Sequence, residues 1–408
     1  LTKKSNRNHE LEKIQKELSK TSGFDSIEYW IDPILKSKDE ELQKAFLNSF
    51  KLIKNSEYMD AIAELEKLLD ADKLSSAQKL SILINLGNLY YLSGVNSKAE
   101  DQFKNVIKTG SELKNENKEI TRSIALASLG FLDYLGVNLD SAQKNYEEAL
   151  IIHQKLKNKR AEALDLLYLG TIFSERCDYN NALNFHNDAL KLVRELGDLE
   201  LEAFQLCAIG LIHRSCGEYD KGISCLEDSL KQHKKANIKE DIAADLGNLG
   251  IIYYDKGELD TAEEYLKESL EIYRQLKNLE GEAYQLTNLG LVYKEKEEYD
   301  SALKNHEKAK KIFQEIKYQH GIANALGNIG LIYRAKGDLD TALKNLEKAR
   351  KIHKDLGDVR GEVADLGSLA LVYKDKDDYE NTMKCMREAS KLQTGLKSTV
   401  DLTEESKK

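Results

Sequence analysis

The chain has 408 residues, 41% hydrophobic and 32% charged, with a formal net charge of −9. No run of about 18 apolar residues is present to form a membrane-spanning helix, and the acidic balance argues against a nucleic-acid surface. Five cysteines without a CxxC point to a reducing, cytoplasmic setting rather than a disulfide framework, and a lone proline, Pro33, leaves nearly the whole chain open to helix.

Residues 1–37 read as a helical prefix. The opening "LTKKSNRNHE" is too polar for a signal peptide, and its start at Leu1 rather than Met reads as part of a longer protein. "NHELEKIQKEL" predicts one amphipathic helix and "SIEYWIDPILK" a second with Trp30 as its buried anchor. Together they would cap the segment that follows.

From residue 38 to 396 the chain repeats itself in about nine units. The first, "FKLIKNSEYMDAIAELEKLL", aligns through Tyr58 and Ala61 with Ser49 in place of a glycine; the second carries Gly87, Tyr90, Gly94 and Ala99. After a step of 43 residues a glycine returns every 40 at Gly130, Gly170, Gly210, Gly250, Gly290 and Gly330, ending on Ala370. Twelve residues after each stands a small residue, such as Ala262 and Ala342, and nineteen after another, such as Ser269 and Ala349. Small residues at fixed slots mark the close approach of two helices, and leucines at 246, 249 and 266 complete a stripe of helical period. Gly217, Gly257 and Gly337 would end the first helix of their units in a left-handed cap, while Cys177, Glu297 and Asp377 occupy that place elsewhere and predict strained turns. Glu218, Glu258 and Asp338 would open the second helix, where negative charge suits the helix dipole. Each unit is therefore expected to be a first helix of about 15 residues, a turn, and a second of about 19. The end of the chain, residues 397–408, is polar and reads as a disordered tail.

The slot order L-x-x-L-G-x-x-Y-x-x-x-G…A…A resembles the tetratricopeptide repeat, and the resemblance spans roughly residues 39–396. It implies an all-α fold, a right-handed superhelical α-solenoid of helical hairpins. The 40-residue spacing and the missing terminal proline depart from the commonest 34-residue unit, so the second helix has room to lengthen. Units such as "NLEGEAYQLTNLG" look most like the Pins/LGN polarity adaptors and next like kinesin light chain.

Chemistry-bearing motifs are sparse. No GxxxxGK[ST], HExxH or GxSxG occurs, and the carboxylates cluster at helix starts and outer faces, so an enzyme is not expected and no cofactor is implied. His153, His233 and His353 share a slot with Val193, Tyr273 and Phe313; His186 and His306 share another with Leu226, Leu266 and Leu346. Interchange with apolar residues marks packing rather than metal ligation. Cys207, Cys216 and Cys225 lie nine residues apart and read as buried thiols rather than a zinc site.

A stack of hairpins presents its first helices as a concave wall. Two residues before the key glycine stand Asn248, Asn288 and Asn328, with Asn85 in an early unit. A carboxamide both donates to and accepts from an extended peptide backbone, and the tetratricopeptide resemblance implies that role for asparagine at this slot. Four residues after the glycine runs a row of Arg214, Tyr254, Lys294, Arg334 and Lys374, able to meet ligand carboxylates. The next slot carries Glu175, Asp255, Glu295 and Asp375, which could instead neutralise that row across units. The expected function is a scaffold or adaptor that binds an extended, acidic peptide or a partner protein, without nucleic acid and without membrane insertion. The alternative is a sensor or regulatory arm of a larger signalling protein.

Overall fold

The computed structural model describes residues 40–69, 74–113 and 116–405. The prefix helices and Trp30 lie outside the described residues. Among those described there are eighteen helices and no strand. They are α1 (Glu40–Lys54), α2 (Tyr58–Leu69), α3 (Ser76–Leu92), α4 (Asn96–Gly110), α5 (Glu116–Leu135), α6 (Leu139–Leu156), α7 (Lys159–Glu175), α8 (Tyr179–Leu196) and α9 (Leu199–Ser215), followed by α10 (Tyr219–Ala236), α11 (Lys239–Lys256), α12 (Leu259–Leu276), α13 (Leu279–Glu295), α14 (Tyr299–Glu315), α15 (Gln319–Ala335), α16 (Leu339–Leu356), α17 (Val359–Asp375) and α18 (Tyr379–Glu405).

The chain divides into two compact units, one ending at Ile212 and the other beginning at His213. In the first, α1–α2, α3–α4, α5–α6 and α7–α8 are hairpins, and each second helix packs on the first helix of the next pair. In the second unit the hairpins are α11–α12, α13–α14, α15–α16 and α17–α18, chained in the same way, with α10 packed on α11. This is the expected all-α solenoid of tandem hairpins.

The glycine ladder has a direct steric cause. A Cβ added to Gly250 would lie 2.6 Å from Leu266 Cγ, one on Gly330 2.7 Å from Leu346 Cγ, and one on Gly290 2.5 Å from His306 Nε2. Each key glycine of a first helix thus receives the side chain found sixteen residues later on the second, and any larger residue would push the hairpin apart. Ala262, Ala302 and Ala342 are fully buried beside these contacts.

The two helices of a hairpin are more equal than expected, 18 residues each for α11 and α12. The first helix gains length because it starts at once after the left-handed cap closing its predecessor, as Asn278 follows Lys277 at φ +56°. Gly217, Gly257 and Gly337 adopt φ of +74°, +85° and +81°, while Cys177, Glu297 and Asp377 take the same left-handed conformation at +59°, +61° and +57°. Asp338 accepts from the backbone N–H of Thr341 and caps α16, whereas Glu218 and Glu258 occupy the cap position without such a bond. The last helix, α18, runs through 397–405 of the segment read as a tail; no proline or glycine after Gly395 interrupts it.

Candidate functional site

All eight residues singled out for ligand binding lie in the second compact unit. Asn248 is on α11, Asn288 on α13 and Asn328 on α15, each half-buried. These helices, with α17, pack on one another in succession and form a continuous row. The carboxamides of Asn288 and Asn328 are half-buried and have no hydrogen-bond partner among the described residues. Asn85, in the other unit, is buried and donates to the Ser81 carbonyl at 2.7 Å, satisfying itself on its own helix.

The cationic row is tied to the acids of the following hairpin. Arg214 Nε donates to Asp255 Oδ2 at 2.5 Å, and Arg334 Nε to Asp375 Oδ2 at 2.6 Å, each partner lying 41 residues on. Tyr254 bonds Glu295, also 41 residues on; burial and this carboxylate raise the phenol's pKa. The corresponding place for Lys294 is Ala335, so no carboxylate waits there. Lys294 Nζ turns instead to its neighbour Glu295 at 3.0 Å. Lys374 is exposed and has no ion pair among the described residues. The row is therefore chemically uneven, with two arginines engaged in charge-assisted bonds to the wall and two lysines more available.

The histidine slot holds more than packing. His153 Nδ1 lies 2.5 Å from Asp165 Oδ2, His233 Nδ1 2.7 Å from Asp245 Oδ2, and His353 Nδ1 2.7 Å from Asp365 Oδ2. All six residues are buried, and each aspartate comes from the helix after the histidine's own. Sequence reasoning missed these couples because Val193, Tyr273 and Phe313 share the slot. The usable signal was twelve residues further on: aspartate stands there wherever the slot is histidine, and Gln205, Gln285 and Ala325 stand there otherwise. His186 instead meets Gln205 at 2.8 Å, and burial lowers its pKa. His306, also buried, has neither ring nitrogen hydrogen-bonded.

The cysteine expectation needs correction. Cys216 is exposed in the turn after α9, and Cys207 and Cys225 are only half-buried on their helices; Cys385 alone of the five is buried.

The tetratricopeptide repeat model matches residues 202–275 and 282–355. Those residues carry tetratricopeptide repeats. No curated protein is close enough in sequence to count as a match. Among solved structures, the apo form of RapI superposes with a TM-score of 0.63 at 18% identity, covering 87% of this chain and 98% of that one. The apo form of the quorum sensor NprR from B. thuringiensis gives a TM-score of 0.63 at 15% identity, with coverage of 88% and 100%. The Rap conjugation gene regulator of the plasmid pLS20, in complex with the Phr* peptide, gives 0.54 at 13% identity, with coverage of 86% and 95%. At these identities the likeness is one of fold. Stacked helical hairpins are what this chain shares with them.

Proposed function

We propose that this tetratricopeptide-repeat chain binds an extended peptide segment along α11, α13, α15 and α17 and acts as a peptide-responsive regulatory scaffold. The observation that carries the reading is the pair of unpartnered, half-buried carboxamides of Asn288 and Asn328 on one continuous row of helices. With Asn248 they match the spacing at which carboxamides can hold a backbone in both directions. Lys294 and Lys374 supply the charge that selects ligand Asp or Glu, while Arg214, Tyr254 and Arg334 hold the wall's own acids in place. The fold shared with the quorum sensor NprR and with a Rap protein bound to the Phr* peptide supports a sensor role over that of a passive adaptor.

The test is a panel of extended peptides graded from basic to acidic, titrated by fluorescence anisotropy. Acidic peptides should bind best. Lys294→Ala with Lys374→Ala should weaken them at least tenfold, since each bond to a charged group contributes about 1.5–3 kcal/mol, with the larger loss at low salt. Replacing Asn248, Asn288 and Asn328 by Ala should abolish binding without loss of helicity. Unchanged affinity in both variants would remove the groove assignment.

A further inference from the structure

Of the three histidine–aspartate couples, two set the histidine Nε2 near a second carboxylate, His233 by Asp241 at 3.8 Å and His353 by Asp358 at 3.9 Å, and of these the one nearest the C-terminus adds a second histidine, His320. His353 is 3% exposed, and its Nε2 is a buried nitrogen with no hydrogen-bond partner. Its Nδ1 bonds Asp365 at 2.7 Å. In the neutral ring, an Nδ1–H donated to this carboxylate leaves Nε2 as a lone pair. That lone pair faces the carboxylate of Asp358, whose Oδ2 is 3.9 Å away. Two acceptors so placed repel unless something positive lies between them. His320 completes the cluster: its Nδ1 is 3.4 Å from the same Asp358 oxygen, and one donor atom from each of the three residues lies within 4.8 Å of the others.

These separations are too long for hydrogen bonds with good geometry. A tetrahedral zinc ion with bonds of about 2.0–2.1 Å sets its donors about 3.3–3.4 Å apart, a spacing that His320 and Asp358 already have at 3.4 Å and that His353 reaches by drawing in from 3.9 Å. We propose that His320, His353 and Asp358 bind one divalent transition-metal ion of the zinc class, with Asp365 as the positioning residue that fixes the His353 tautomer. Two imidazoles and one carboxylate oxygen suit such an ion better than Mg2+ or Ca2+, which take all-oxygen sets. A carboxylate behind a ligating imidazole is the usual outer partner of this arrangement.

The local backbone is shaped for it. Asp358 Oδ1 accepts from the Gly361 N–H at 2.9 Å as the cap of α17, which holds Oδ2 toward the histidines. A Cβ at residue 361 would lie 2.6 Å from the His353 ring and 2.7 Å from Asp358 Oδ2, so glycine keeps the space between these groups. His320, on α15, is open to solvent and leaves the fourth coordination position to water or an incoming ligand. The bound ion would clip α15, α16 and the start of α17 together. The repeat supplies its own controls: where His233 stands for His353, the places of His320 and Asp358 hold Glu200 and Ile238, and where His153 stands they hold Ile120 and Asn158.

Zinc chloride alone is the probe. Full-length chain is equilibrated with buffered zinc, dialysed, and its metal content measured, with affinity from competition against a chromophoric chelator. Wild type should retain one equivalent more than the His320→Ala/Asp358→Asn double variant. His320→Ala and Asp358→Asn singly should each weaken that equivalent at least tenfold; the asparagine can still cap α17, and circular dichroism checks the fold. Asp365→Asn should weaken it 10–100-fold, and Asp245→Asn should leave it unchanged. Cobalt(II) in the same site should lack a sulfur-to-metal charge-transfer band, which excludes the cysteines as its ligands. Zinc uptake that is equal in wild type and the double variant overturns the proposal.

Discussion

Between α10 and α11, and again between α16 and α17, a histidine and an aspartate meet below the surface; between α14 and α15 the same two positions hold Phe313 and Ala325. Both solutions fill the joint between one hairpin and the next. Phe313 lies over Gly321 and His353 over Gly361, each so close that a Cβ would fall within 2.6 Å of the ring. The difference teaches that the repeat fixes shape at this position and leaves polarity to be settled in pairs. A ring of either kind fits, provided that a buried nitrogen finds an acceptor on the next helix. Ser229 joins the His233 couple, donating to Asp245 Oδ2 at 2.9 Å.

The largest effect should come from breaking one member of a couple. Asp245→Ala removes the acceptor of both His233 and Ser229 and should cost about 3–5 kcal/mol, the usual result of removing one partner of a buried acid–base pair. His233→Phe combined with Asp245→Ala copies the Phe313–Ala325 joint and should recover most of that loss. Urea denaturation with hydrogen exchange measures both, and the damage should concentrate in the hairpins that share the joint. A double variant as unstable as the single one would show that the couple is more than an interchangeable filling.

A somewhat smaller effect separates buried acids from buried bases by the sign of their pH dependence. Burial pushes the Asp165 carboxyl from 3.8 up to about 6, against the opposing bond from His153. Between those values the folded chain holds a proton that the unfolded chain has released, so this site's stabilisation is present at acid pH and is lost as pH rises through about 6. His306 runs the other way. Burial, with Lys294 adding to it, pulls the imidazole from 6.5 down to about 4, so stability present above 6.5 is lost as pH falls toward 4. Each window is worth about 3 kcal/mol at 1.36 kcal/mol per pH unit. Relative to wild type, Asp165→Asn should therefore gain stability as pH rises from about 4 to 6. His306→Leu, the residue found at 266 and 346, should gain as pH falls from 6.5 to 4. Parallel stability–pH curves for wild type and variant would refute either assignment.

The legible and the illegible parts of this molecule differ in what a side chain needs. Gly330 was readable because Leu346 demands the absence of a Cβ, and a demand for small size leaves glycine in most units and serine or alanine in the first and last. The hairpins, their order and the left-handed caps all follow from such demands. His353 was not readable in the same way, since its slot tolerates phenylalanine and its meaning depends on Asp365 in the next unit. The wall shows the same limit: Arg334 and Asp375 occupy adjacent slots in each unit's pattern, but the bond joins slots of successive units, 41 residues apart. Lys294 escapes that bond only because residue 335 is alanine. Pairings offset by one unit are invisible to any single line of the repeat, and they decide which cations a ligand would meet.

The smallest effect concerns the turns, where Gly257 and Val137 occupy the same place in different hairpins. Gly257 sits at φ +85° and Val137 at +59°. The left-handed region brings a side chain's Cβ against the following carbonyl at a cost of roughly 1–2 kcal/mol, and a β-branched residue fits it poorly. Val137 recovers little by packing, since it is 78% exposed. Val137→Gly should therefore relieve the strain, offset in part by the greater freedom glycine gives the unfolded chain, about 0.4–1 kcal/mol. The net gain should be under about 1 kcal/mol and should appear as slower hydrogen exchange in α5 and α6. Gly257→Val should show the reverse in α11 and α12, with a loss of roughly 1–2 kcal/mol. A gain at Gly257, or a loss at Val137, would mean that the turn residue is held by contacts of its side chain rather than by its backbone conformation.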